Sequence, residues 1–107
     1  MHKNRGEIIK ESVKRIVQGS SPDKVILFGS SSQGKTTKDS DIDLLIIKPS
    51  KARRDERDIE IRKLLSDIVF PMDIFVYTPE EVKKYKDLPG SFIGKIINTG
   101  KVLYESK

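Results

Sequence analysis

Residues 25–47 read VILFGSSSQGKTTKDSDIDLLII, and this stretch decides the architecture. Val25-Ile26-Leu27-Phe28 is fully apolar and too short for a helix, so it reads as a buried strand. Asp41 to Ile47 is a second strand, closed by Lys48-Pro49-Ser50. Between them, Ser30 to Ser40 is polar and built of small residues. The fold and the chemistry both turn on how this connection is read.

Gly29 to Thr36 matches the phosphate-loop pattern G-x-x-x-x-G-K-[ST] residue for residue and follows an apolar strand. In that reading backbone N–H groups cradle phosphates, Lys35 meets the terminal phosphates and Thr36 binds Mg²⁺. A phosphate loop, however, opens a long helix that crosses back to a parallel strand, which takes roughly a dozen residues or more. Only Thr37, Lys38, Asp39 and Ser40 separate Thr36 from the next strand. A P-loop NTPase is therefore the weaker reading.

The alternative takes Gly29-Ser30 together with Asp41-Ile42-Asp43. In a strand, residues i and i+2 share a face, so the carboxylates of Asp41 and Asp43 lie side by side, with Leu45 and Ile47 further along. Two neighbouring anions beside an apolar core are costly unless a cation sits between them. Oxygen-only ligation selects a hard ion, Mg²⁺ or Mn²⁺. A third acid, Asp73, interrupts the apolar run Met72-Asp73-Ile74-Phe75-Val76, where a carboxylate is unfavourable without a partner. If that strand lies beside Asp41–Ile47, three carboxylates meet at one sheet edge. Such a set can hold two divalent ions ~3.5–4 Å apart, one for the attacking and one for the leaving oxygen. A Gly29-Ser30 turn with free backbone N–H groups would suit triphosphate oxygens.

Working outward, 107 residues allow one domain, spanning 1–107. Ile9, Val13, Ile16 and Val17 give 7–18 a helical stripe. A charged helix is expected over 53–69, with Ile61, Leu64, Leu65 and Ile68 inward and Arg54/Asp58 and Asp58/Arg62 as i, i+4 pairs. Met72 to Tyr77 is a third strand. Thr78-Pro79-Glu80-Glu81 is a helix start, running to about Asp87. Phe92 to Asn98 is a last helix and Val102 to Tyr104 a last strand. The order α-β-β-α-β-α-α-β describes an α/β (α+β) domain: a small mixed sheet with flanking helices.

Composition removes several classes of function. The absence of cysteine excludes disulfides, a thiolate nucleophile and cysteine-bound metals. The single histidine, His2, sits in the N-terminal tail, which argues against histidine acid–base catalysis. The longest apolar run is four or five residues, far short of the ~20 that span a bilayer, so a soluble, cytoplasmic protein is expected. A net charge of +5 leaves nucleic acid open as a partner, but basic and acidic residues alternate and read as a solvated surface. The clusters Lys51-Ala52-Arg53-Arg54 and Lys83-Lys84-Tyr85-Lys86 read the same way. The seven aromatics fall mostly within apolar runs, which points to core packing rather than base stacking.

The stretch Phe28-Gly29-Ser30 through Gly34 to Ser40-Asp41-Ile42-Asp43-Leu44-Leu45-Ile46, with Asp73 further on, resembles the minimal nucleotidyltransferases of the DNA polymerase β superfamily. The resemblance extends over nearly the whole chain. It implies Mg²⁺-dependent transfer of a nucleoside monophosphate, usually from ATP, to a hydroxyl acceptor, with pyrophosphate leaving. By the same resemblance Asp41, Asp43 and Asp73 bind the metals and Asp73 helps to accept the proton of the hydroxyl. Gly29 and Ser30 would contact the triphosphate, with Lys35 and Ser40 as further nucleotide contacts. Where the family commonly has a bulky or basic residue and an Arg in this loop, the chain has Ser31 and Gln33. Many relatives act as the antitoxin of a HEPN-type partner protein, which the resemblance extends to this chain. The rival from another class is a binding module that neutralises such a partner by contact alone.

Overall fold

The computed structural model describes residues 4–29 and 41–107. The first helix, α1 (Arg5–Ser20), starts where the Asn4 side chain accepts a hydrogen bond from the Glu7 N–H, and ends at Ser21 in the left-handed region. Strands β1 (Lys24–Phe28) and β2 (Ile42–Ile47) pair antiparallel, from Lys24 opposite Ile47 to Phe28 opposite Asp43. That pairing overturns the P-loop reading, which needs the two flanking strands to run parallel.

A 3₁₀ turn at Arg54–Glu56 leads into α2 (Arg57–Leu64), which crosses to β3 (Met72–Tyr77). β3 pairs parallel with β2, so Ile42 stands beside Met72 and Asp43 beside Asp73. Next come α3 (Pro79–Tyr85) and α4 (Phe92–Thr99), then β4 (Lys101–Glu105), antiparallel to β1. Strand order is β3-β2-β1-β4. Thr78 and Glu81 form the capping box expected at the start of α3.

The two central strands, β1 and β2, are buried on both faces, which is why they read as unbroken apolar runs. On one face Val25, Leu27, Ile42, Leu44, Ile46, Ile74 and Val76 pack against Ile16 of α1 and Ile61 of α2. On the other, Ile26, Phe28, Leu45 and Ile47 meet Ile93 and Ile96 of α4, with Val82 and Tyr85 of α3 at the side.

Two expectations for the charged helix need correction. It stops at Leu64 rather than reaching residue 69. Pro71 disfavours helical backbone at the residue before it, and Arg15 of α1 donates to the Leu64 carbonyl (3.5 Å) while pairing with Asp67. The last turn is thereby capped from outside. Arg54, expected to pair with Asp58, sits in the 3₁₀ turn and pairs instead with Glu81. The Asp58–Arg62 pair forms as expected (2.6 Å).

β3 is an outer strand. Its odd-numbered carbonyls face β2, as when the Lys48 N–H bonds to the Tyr77 carbonyl and the Ile42 N–H to that of Pro71. The even-numbered ones face outward, where Arg57 donates to the Val76 carbonyl and Arg62 to that of Met72, both at 3.4 Å. Among the described residues no helix is long and apolar enough to cross a membrane.

Candidate active site

Alternation along three paired strands writes one row across the sheet. Asp73, Asp43 and Phe28 are consecutive register partners on β3, β2 and β1. Phe75, Leu45 and Ile26 make up the next row, on the same face as Leu45 and Ile26 in the α4-side core. The acids thus stand where the apolar face gives out. Because β2 and β3 are parallel and each has its Asp second in the strand, both carboxylates emerge at the same end of the sheet.

Asp43 and Asp73 are register partners on adjacent parallel strands, and their carboxyl groups act on one another. Partial burial comes first among the causes that lift the Asp43 carboxyl to about 6, followed by the neighbouring Asp73 carboxyl and the charge of Asp41. Arg5 pulls the other way.

Asp41 lies exposed in the lead-in to β2, and its carbonyl accepts from the Arg5 guanidinium at 2.6 Å. Arg5 also lies 5.5 Å from the Phe70 ring centroid, which pins the first turn of α1 to the acid end of the sheet. Asp43 and Asp73 are therefore brought together, while Asp41 acts on Asp43 through its charge. Among the described residues no group of three or more acidic or histidine side chains is placed to hold a metal ion together, so the expected meeting of Asp41 with Asp43 and Asp73 at one point is not seen. Oxygen donors of this kind, open on one side, fit a hard divalent ion that keeps water and substrate oxygens in its shell.

Gly29 follows β1 with φ +74°, a backbone region that other residues rarely adopt. An ideal Cβ there would lie 2.4 Å from Oδ2 of Asp43, so the carboxylate occupies the space a side chain would need. Gly29→Ala is expected to cost about 1–2 kcal/mol in backbone strain and to turn the Asp43 carboxylate away from Asp73. Chemical denaturation together with the Asp43 titration by NMR checks both effects. Ser30, Lys35 and Ser40, as well as Ser31, Gln33, Thr36 and His2, lie outside the described residues.

Sequence reading missed an aromatic cluster at this end. Phe75 is 36% exposed and Phe92 45%, so neither is the core residue its apolar surroundings suggested. The signal was available for Phe75: the i, i+2 rule that pairs Asp41 with Asp43 also places Phe75 on the Asp73 face.

The family profile described as "Polymerase beta, Nucleotidyltransferase" matches residues 11–107. No curated protein matches the sequence. Among solved structures, a candidate nucleotidyltransferase from Sulfolobus solfataricus aligns with a TM-score of 0.65 at 20% identity, over 92% of this chain and 78% of its own. A toxin–antitoxin crystal structure with AMP-PNP gives a TM-score of 0.62 at 21% identity, over 96% and 75%. A mutant form of the toxin–antitoxin MntA–HpeT gives 0.59 at 18%, over 92% and 73%. At these identities the likeness is one of fold.

Proposed function

The chain belongs to the polymerase beta nucleotidyltransferase family, and we propose that it transfers AMP from ATP to a hydroxyl group with the help of Mg²⁺. The observation that carries the proposal is the Asp43–Asp73 pair, two carboxylates set side by side in register across two parallel strands. Such a pair must be neutralised by a proton or a cation, and at neutral pH in the presence of Mg²⁺ the cation takes that place.

In this reading Asp41, Asp43 and Asp73 hold the divalent ions. Bound there, Mg²⁺ supplies charge neutralisation on the phosphates and orients an in-line displacement. The chain's own contribution is placement. Gly29 gives its backbone to the triphosphate beside Asp43, with Ser30, Lys35 and Ser40 as further nucleotide contacts. Asp73, exposed at the rim, receives the proton as the acceptor O–H becomes the new O–P bond and pyrophosphate departs with its electron pair.

The acceptor hydroxyl is proposed to lie on a HEPN-type partner protein, with this chain as the antitoxin. Two of the structures that share the fold are toxin–antitoxin assemblies, and one contains AMP-PNP, which supports both the partner and the nucleotide. The test is incubation with α-labelled ATP, Mg²⁺ and the partner. Label is expected on the partner and is expected to vanish with EDTA. Partner inhibition without label transfer would replace the enzyme by a contact-only antitoxin.

A second measurement needs no partner. Ligand that binds only the folded chain at 100 times its Kd stabilises it by about 2.7 kcal/mol. Millimolar Mg²⁺ with ATP is therefore expected to raise the melting temperature by several degrees, more than either alone. An unchanged melting temperature would remove the nucleotide from the proposal.

A further inference from the structure

Phe28, Phe75 and Phe92 form a closed triangle, with ring centroids 5.8 Å (28–75), 5.6 Å (28–92) and 5.3 Å (75–92) apart. The interplanar angles are 53°, 87° and 66°, so no ring covers another face to face. Phe28 is buried, whereas Phe75 and Phe92 keep more than a third of their surface in water. The three come from β1, β3 and the start of α4, elements that could have closed this surface with smaller residues.

The position of the triangle is informative. Phe28 is the register partner of Asp43. Phe75 follows Asp73 by two residues on the same face, about 6–7 Å along the strand. Aromatic surface therefore begins where the carboxylates end.

We infer that Phe75 and Phe92 seat the base of the nucleotide. The inference rests on the proposed function, which puts the phosphates at the acid pair. A nucleotide is a polyanion joined to a flat π system through one sugar, and this end of the sheet offers a cation site and, a sugar's length away, exposed rings. Base–aromatic stacking is tolerant of base identity because every base has a π face. The rings have neither donors nor acceptors, so they grade bases by area. Purine triphosphates should bind more tightly than pyrimidine ones, with adenine and guanine held alike by this surface.

The test is calorimetric titration, with Mg²⁺ present, of ATP and of inorganic triphosphate into the full chain and its Phe92 variants. Phe92→Ala and Phe92→Leu are expected to weaken ATP on the order of 10–100-fold and to leave inorganic triphosphate unchanged, while Phe92→Trp restores ATP. Leucine keeps the apolar volume and lacks the π face, so ATP binding by Phe92→Leu at the wild-type level overturns the inference. Equal weakening of ATP and triphosphate in Phe92→Ala overturns it too, because that marks a structural role. If the wild type binds triphosphate but ATP no more tightly, the base seat fails and the acid site stands. If it binds neither, the proposed function fails and takes the base seat with it.

Discussion

Asp43→Asn is expected to lower nucleotidyl transfer on the order of a thousandfold, the scale of removing one preorganised electrostatic group from an active site. Without metal, the same variant is expected to be more stable than the wild type at pH 7. The reason is that Asp43 titrates at about 6 in the folded chain against 3.8 for the free side chain. The folded state binds more protons than the unfolded one between those values, so wild-type stability falls as pH rises from 3.8 to about 6 and is flat above. Asparagine carries no charge to bury beside Asp73 and Asp41, and this recovers about 1–2 kcal/mol after allowance for solvent screening. The advantage of the variant should shrink below pH 6 and disappear near pH 4. Urea midpoints in EDTA across pH 4–8, with initial rates in Mg²⁺, measure both halves. A variant that keeps a tenth of the activity, or that melts below the wild type at pH 7 without metal, would contradict the assignment of Asp43.

Glu81→Ala is expected to have the largest effect on stability, about 2–4 kcal/mol, out of the ~5–15 kcal/mol of a typical domain. The Glu81 carboxylate accepts from Arg57 at 2.5 Å, from Arg54 at 3.0 Å and from the Thr78 N–H at 2.9 Å. Arg54 in turn lies 4.9 Å from the Tyr77 ring centroid and 5.8 Å from that of Tyr85. Through this one carboxylate the turn before α2, on one face of the sheet, is tied to α3 on the other, around the strand that bears Asp73. Burial alone would raise the Glu81 carboxyl, but Arg57, the Thr78 N–H and Arg54 outweigh it and bring it down to about 2 from 4.5. With the folded value the lower one, its stabilisation is complete above about pH 4.5 and is lost as pH falls toward 2. Glu81→Gln, which keeps the shape and drops the charge, should differ most from the wild type above pH 4.5 and converge on it near pH 2. Parallel stability curves over that interval would mean that the arginine contacts contribute nothing. Activity well below the melting temperature should survive, since Glu81 does not reach the acid pair.

The order of helices and strands was legible because each element announces itself locally. Val25–Phe28 and Leu44–Ile47 are apolar on both faces, and Thr78-Pro79-Glu80-Glu81 is a cap whose bonds form as read. Asp73 was legible for a different reason: a lone charge in an apolar strand needs a partner, and parallel pairing supplied Asp43. Features that depend on where a chain turns were not legible. Arg54 pairs with a residue 27 positions away because its backbone is 3₁₀ rather than α-helical. The end of α2 is fixed by Arg15, from a helix far off in sequence. Exposure of Phe75 and Phe92 depends on how far α3 and α4 extend over the sheet, which apolar neighbours in sequence do not reveal.

The guanidinium groups on the outward carbonyls of Met72 and Val76 bear on how the molecule behaves in a crowd. A bare row of carbonyls and amides invites a neighbouring molecule to continue the ladder, which is how ordered aggregates grow. Here the would-be newcomer must first displace two arginines and leave their charge facing its own backbone. Growth from the β3 edge is stoppered, and neutral replacements at Arg57 and Arg62 should be the ones that open that edge and turn concentrated solutions cloudy.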